Sequence, residues 1–250
     1  MKPRIAIPEP CSYDREYSNR ALPFYLQAIE ESGGKPEVIS LGLSPEEIAR
    51  RITRCCAILL TGSRADVDPQ KYGAEPHPRN AEPDLLRDAA DELLLQDAYN
   101  MRKPVFGICY GLQSLNVWRT GTLVQHIESN VDHSPADKAT PCHEVEITPN
   151  SLLAQNLGGA QHVVAVNSSH HQAADVAGDA LRVVARSRED GIVEAVEGTL
   201  PGHYVLAVQW HPERNFVQDS SSQKLFRRFV EAARDWSSQR DREQGISEGL

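Results

Sequence analysis

In the stretch FGICYGLQS, residues 106–114, a single thiol sits between two glycines at the end of the apolar run 104–108. If 104–108 is a strand and a helix begins about Gly111, Cys109 occupies the corner between them. Its side chain then projects from the carboxyl edge of the sheet, where open α/β sheets bind ligands. Gly107 and Gly111 are explained by a returning helix that passes too close for a β-carbon on either side. The helix N-terminus beneath the sulfur offers unpaired N–H groups and partial positive charge, so the expectation is a thiolate near neutral pH. Taken alone, the pattern also fits a tight turn around a buried, unreactive cysteine. A second constellation, VQWHPERN at 208–215, decides between the two. A largely apolar strand ends in His211-Pro212-Glu213, and Pro212 biases His211 toward extended backbone. With i and i+2 on one side, Glu213 can accept from one imidazole nitrogen while the other faces the thiol. Nucleophile, base and orienting carboxylate are the parts needed for acyl transfer.

Such a triad needs a rigid frame, and the alternation of the chain supplies one. RIAI (4–7), EVISL (37–41), AILLT (57–61) and PVFGI (104–108) are mostly apolar and short, as strands covered on both faces of a parallel sheet are. Helical patterns lie between them. NRALPFYLQAIEES stops at Gly33-Gly34, and SPEEIARRI opens with Ser44 as N-cap and Pro45 at the first helical position. Residues 81–102 place Leu85, Leu86, Ala89, Leu93 and Leu94 near helical spacing. That order predicts a doubly wound α/β sheet. In the second half HEVEIT (143–148), VVAVN (163–167), LRVVA (181–185), IVEAV (192–196) and YVLAVQW (204–210) follow closely, as in a meander or mixed edge. A helix at 222–236 and a polar, frayed tail from 237 to 250 complete the expectation of one domain over 1–236.

Composition narrows the chemistry. At 250 residues, 40% hydrophobic and 24% charged, the chain can close one sizeable core. No stretch approaches the roughly 18 apolar residues of a membrane span, and MKPRIAIPEP lacks the apolar segment of a signal peptide. The expectation is a cytoplasmic protein. A formal charge of −9 without any Lys/Arg cluster argues against nucleic acid or an anionic membrane as partner and favours a small soluble substrate. Five cysteines, with no CxxC pair, suggest neither a disulfide framework nor a zinc knuckle. Cys55 and Cys56 read as small hydrophobes before a strand, and Cys142 starts another.

Taken in order and spacing, PVFGICYGLQSLNV, VNSSHHQA and VQWHPE resemble the class I glutamine amidotransferase superfamily. Within it, TGSRADVDPQKYG and NSSHHQ resemble the γ-glutamyl hydrolase branch, which includes γ-glutamyl-γ-aminobutyrate hydrolases. The resemblance covers nearly the whole chain. It implies a flavodoxin-like three-layer α/β/α fold, mostly parallel at its centre with antiparallel strands added in the C-terminal half, and a thiol hydrolase of γ-glutamyl amides needing no cofactor. By that resemblance Cys109 forms a γ-glutamyl thioester, His211 transfers the protons and Glu213 orients the ring. The oxyanion donors are the backbone N–H of Tyr110 and that of Gly62 or Ser63. Gln113 contacts the glutamyl group, and Ser169, His170 and His171 bind substrate or support His211.

Adjacent histidines suggest a metal, but i and i+1 side chains diverge and no Asp, Glu or Cys stands at ligand spacing, so no metal is expected. The loop 64–80, rich in Pro and Asp, either caps the site or is a solvated excursion. Where relatives carry two glycines after the nucleophile's helix, this chain has Thr120-Gly121, which requires negative φ at Thr120 unless the helix end differs. A glutaminase subunit serving a separate synthase is the alternative function, and a non-catalytic binding or redox-sensing protein is a third. The leaving amine, whether γ-aminobutyrate, a polyamine derivative or a peptide, is not legible, and a homodimer stays open.

Overall fold

The computed structural model describes residues 2–159 and 162–247. In chain order the first half contains β1 (Arg4–Pro8), α1 (Arg15–Glu31), β2 (Lys35–Ile39), α2 (Pro45–Ile52), β3 (Ala57–Leu60), α3 (Leu85–Met101), β4 (Val105–Ile108) and α4 (Tyr110–Trp118). The second half adds β5 (Leu123–Val124), β6 (His143–Ile147), α5 (Leu152–Leu157), β7 (Val163–Val166), β8 (Ala173–Ala174), β9 (Leu181–Ser187), β10 (Val193–Gly198), β11 (Val205–Val208) and α6 (Ser220–Ser247). Nine strands form one sheet in the order β2-β1-β3-β4-β11-β10-β9-β6-β7, and β5 pairs with β8 apart from it. β2, β1, β3, β4 and β11 are parallel, whereas β10, β9, β6 and β7 are joined by antiparallel pairings. The fold is therefore flavodoxin-like, with the antiparallel half continuing the same sheet.

The pleat divides the core in two. Ile5, Ile7, Leu59, Phe106 and Ile108 face a layer built by α1, α5 and α6, where Tyr25, Ile29, Phe226 and Phe229 are buried. Ala6, Ile58, Leu60 and Val105 face α2, α3 and α4 through Ile48, Leu94, Leu95 and Leu112. Successive strand residues point to opposite faces, so an unbroken apolar run is what a sheet covered on both sides requires.

Four departures from the sequence expectation have local causes. α1 begins at Arg15, four residues before the expected start, because the Asp14 side chain accepts from the Tyr17 N–H and caps it. α5 is too short to stand out as a periodic pattern, although Ser151 caps its start and Gly158 ends it at φ 101°. α6 continues to Ser247 rather than fraying after 236: residues 237–247 contain no proline, and Gln239, Arg240, Arg242, Glu243 and Gln244 are good helix formers. The last three residues of the expected tail, 248–250, lie outside the described residues. Fourth, Thr120 has φ +70°, not the negative value that a non-glycine residue suggests. The chain still makes the helix exit that glycine would make, with Thr120 N–H donating to the Val117 carbonyl and Gly121 N–H to that of Asn116. A left-handed β-branched residue costs about 1–2 kcal/mol. Gly121 is needed, since a β-carbon there would stand 2.5 Å from Asn116 Nδ2. No described helix is long and apolar enough to cross a membrane.

Candidate active site

β4 ends at Ile108 and α4 starts at Tyr110, so Cys109 alone makes the turn, with φ 53° and ψ −106°. This is a strained corner for an L-residue with a side chain. The close passage expected of the helix is present: a β-carbon on Gly111 would lie 2.5 Å from the Leu60 carbonyl oxygen, and one on Gly107 would lie 2.8 Å from that of Gly111. The Cys109 N–H donates to the Val208 carbonyl at 2.8 Å, which ties the corner to β11, the strand leading to His211.

His211 is buried, and its Nδ1 lies 2.7 Å from Glu213 Oε1. Asn167 clamps the same residue at the backbone: its Oδ1 accepts from the His211 N–H at 3.0 Å and its Nδ2 donates to the His211 carbonyl at 2.8 Å. Nε2, the other ring nitrogen, is buried without a hydrogen-bond partner. Both side chains border Gly62: a methyl there would be 3.1 Å from His211 Cε1 and 3.7 Å from Cys109 Cβ. Sequence reasoning misses Asn167 although it lies in the NSSHHQ motif, since a side-chain amide that braces a distant backbone leaves no spacing signature.

The expected thiolate is not what the environment favours. Burial pushes the Cys109 thiol up to about 12, against the opposing pull of Arg214 and the Tyr110 N–H. Burial also lowers His211, outweighing the attraction of Glu213. For Glu213 burial acts to raise the carboxyl, but His211 and then Arg214 hold it below its ordinary value. At neutral pH the ligand-free site is thus a neutral thiol, a neutral imidazole and a carboxylate. The partial charge of one helix terminus does not offset the desolvation of a sulfur anion at this nearly buried position.

The loop after β3 separates the two oxyanion candidates. The Gly62 N–H already donates to Tyr25 Oη at 3.0 Å, whereas Ser63 borders the cavity. Arg87, fully buried, holds this loop in place. Its guanidinium donates to the Thr61 carbonyl at 2.6 Å, to Thr61 Oγ1 at 2.9 Å and to the Pro10 carbonyl at 3.0 Å, pairs with Asp91 at 2.8 Å and lies 4.9 Å from the centre of the Tyr110 ring. One buried cation thereby touches both segments expected to carry the oxyanion donors. In the sequence Arg87 is indistinguishable from an ordinary polar residue on a helix.

These groups open onto a cavity of about 800 Å³. Gln113 lines it, its Nε2 donating to the Gln172 carbonyl and to Gln209 Oε1. The Ser169 carbonyl approaches Cys109 Sγ at 4.0 Å. His170 and His171 do diverge, His171 turning to Asp66 at 3.1 Å and His170 inward, where its Nε2 is 3.6 Å from Glu194. Carboxylates do stand beside them, contrary to what local spacing implies, because Asp66 and Glu194 come from elements distant in sequence. Of the loop 64–80, only Arg64, Ala65 and Asp66 reach the cavity. Beyond them, Tyr72 ends a 3-10 turn over Pro69–Tyr72 and packs with Val67 on Tyr110 and Val117, while the His77 N–H and Asn80 Nδ2 donate to Gln125 Oε1. Cys11 and Cys55 are buried, while Cys142 is exposed rather than packed.

A family model described as Peptidase C26 matches residues 9–213. Protein NtpR of Enterococcus hirae is 35% identical over 213 residues, spanning 83% of this chain and 87% of that protein. The γ-glutamyl-γ-aminobutyrate hydrolase PuuD of Escherichia coli K12 is 34% identical over 230 residues, 87% of this chain and 88% of that one. In structure, a Thermoplasma acidophilum protein provisionally described as a GMP synthase subunit superposes with a TM-score of 0.68 at 15% identity, covering 96% of this chain and 98% of its own. At that identity the likeness concerns the fold. Sequence relatives and geometry agree that the chain belongs to the Peptidase C26 family, within the class I glutamine amidotransferase-like proteins, and is a hydrolase.

Proposed function

We propose that this hydrolase cleaves γ-glutamyl amide bonds through a γ-glutamyl thioester on Cys109. The observation that carries the reading is that Cys109 and His211, whose Nε2 is buried without a partner, both border Gly62 and line the same cavity. His211 Nε2 takes the thiol proton as Sγ attacks the γ-carbonyl carbon. The N–H groups of Tyr110 and Ser63 stabilise the resulting oxyanion. Collapse of the tetrahedral species breaks the C–N bond, and the imidazolium returns its proton to the leaving amine. Water, deprotonated by His211, then cleaves the thioester to release glutamate and restore the thiol. Glu213 stabilises the imidazolium in both steps. Arg20, Lys138 and Arg214 line the cavity and favour a substrate carrying carboxylates on both sides of the scissile bond, as γ-glutamyl-γ-aminobutyrate does.

Mass spectrometry on a panel of γ-glutamyl amines and peptides, with glutamine included, tests the reading. Release of glutamate from substituted amides is expected, with a glutamyl adduct on Cys109 trapped by acid quench. A folded wild-type protein that releases none from any member removes the proposal. Hydrolysis of glutamine itself in preference to every substituted amide would replace it with ammonia delivery to a synthase.

A further inference from the structure

Behind the NSSHHQ loop, three imidazoles converge on one carboxylate. Glu194 Oε1 lies 3.0 Å from His143 Nε2, 3.4 Å from His133 Nδ1 and 3.6 Å from His170 Nε2. Glu194 is wholly buried and the histidines are 4–5% exposed. We propose that Glu194, His133 and His143, with His170 beside them, bind one divalent transition-metal ion of the zinc class.

The hydrogen bonds on the far side of each ring carry the argument. His170 Nδ1 faces the Gln172 carbonyl at 2.9 Å, and a carbonyl only accepts, so Nδ1 bears the hydrogen and Nε2 of the neutral ring presents a lone pair. His133 Nε2 faces Asp190 Oδ2 at 2.8 Å, which by the same logic leaves a lone pair on Nδ1. With both rings neutral, these bonds turn two lone pairs toward a carboxylate oxygen. His133 Nδ1, His170 Nε2 and Glu194 Oε2 are all buried without a hydrogen-bond partner. Buried polar atoms are rarely left so. A cation shared among them satisfies every one.

Dimensions approach those of a closed site, and the surroundings suit one. Ligand bonds of about 2.0–2.2 Å in a tetrahedral site put neighbouring donor atoms about 3.3–3.6 Å apart. The three distances from Glu194 run from 3.0 to 3.6 Å. The donor atoms of His133, His143 and Glu194 all lie within 4.8 Å of one another. Ligating histidines commonly donate their second ring N–H to a carboxylate or carbonyl, the arrangement His133 makes with Asp190 and His170 with Gln172. Imidazole donors select the zinc class over calcium or magnesium. The ion also braces the catalytic loop, because the His133 carbonyl accepts from Ser168 Oγ at 2.6 Å and from the His170 N–H at 2.9 Å. Fixing His133 fixes the segment that presents Ser169 to Cys109.

Metal uptake is independent of the substrate and can be read without turnover. Full-length protein stripped with a chelator is titrated with Zn2+ by calorimetry and with Co2+ by visible absorption. One equivalent is expected to bind, with the weak-field spectrum of nitrogen and oxygen ligands. Uptake should persist in Cys109→Ser, which excludes a site on the catalytic thiol. Asp190→Asn should weaken it by about 10–100-fold, as outer partners do. His143→Ala should weaken it further, and the isosteric Glu194→Gln gives the same readout if His143→Ala does not fold by circular dichroism. Absence of stoichiometric uptake by the folded wild type, undiminished binding in the ligand variants, or intense thiolate–cobalt charge transfer would each overturn the site.

Discussion

Adding one methyl at Gly62 tests whether Cys109 and His211 act as a pair. Gly62 has no positive φ, so alanine is compatible with its backbone and the effect is confined to space. The new carbon would stand 3.0 Å from Tyr25 Oη and 3.1 Å from His211 Cε1, where ordinary contact begins at 3.4 Å. Each neighbour must yield by a few tenths of an ångström. Overpacking of this kind costs about 1–3 kcal/mol, which for a protein of this size lowers Tm by roughly 2–12 °C. Chemistry is more sensitive: a misplacement of about 1 Å can cost on the order of 100-fold. The smaller shift here, shared between the base and the adjoining Ser63 N–H, is expected to lower kcat by about 10–100-fold, or roughly 1.4–2.7 kcal/mol. KM should change little, because the disturbed atoms are those that react. Steady-state kinetics on a chromogenic γ-glutamyl anilide, with circular dichroism to establish folding, reads both parameters. A folded Gly62→Ala protein whose kcat stays within about twofold of wild type would refute the geometry.

Stability and pH behaviour give further checks on the same contacts. Thr120→Gly relieves a left-handed β-branched residue worth about 1–2 kcal/mol and gives back about 0.5–1 kcal/mol of chain entropy, so thermal unfolding should show a net gain of up to about 1.5 kcal/mol with unchanged activity. Arg87→Met leaves Asp91 buried and unpaired and should cost about 3–5 kcal/mol in urea unfolding, with kcat falling in whatever fraction remains folded; equal stability would contradict the bracing role. For pH, burial depresses His211 below its ordinary 6.5, and the base works only when neutral. kcat/KM should therefore fall as pH drops through a midpoint below 6.5 and stay level through about pH 9, since the Cys109 proton is held to about 12. A fall in kcat/KM on the alkaline side, before about pH 9, would mean that a charged thiolate–imidazolium pair, not a neutral one, enters the reaction.

What is legible in the sequence is what short-range chemistry dictates. The elbow can be read because Gly107 and Gly111 are demanded by two close approaches, each visible as an absent side chain. The position of Glu213 can be read because alternation along an extended chain is a two-residue rule. Arg87, Asn167 and the meeting of Glu194 with His133, His143 and His170 cannot, since most of these contacts join segments 26 or more residues apart, brought together only by the sheet order. Thr120 misleads for a different reason. A residue's identity reports its preferred φ, whereas the exit of α4 is fixed by Gly121 and Asn116 around it, and the local preference yields.

The thiol's protonation follows from the same contest between local and global terms. A helix N-terminus contributes a few tenths of a kcal/mol to about 2 kcal/mol toward an anion, and that is the basis for expecting a thiolate. Burial of the sulfur opposes it by more, and burial of the imidazole disfavours its cation, so the neutral pair is favoured at rest. In the proposed reaction, proton transfer is driven by events that exist only with substrate present: bond formation to the carbonyl carbon, and the transfer of developing charge from sulfur onto an oxygen facing the Tyr110 and Ser63 N–H groups. Charge never needs to rest on the sulfur. The tight corner at Cys109, the clamp of Asn167 on His211 and the Arg87 brace on the β3 loop all serve that requirement, since donors fixed before the charge appears need no reorganisation when it does.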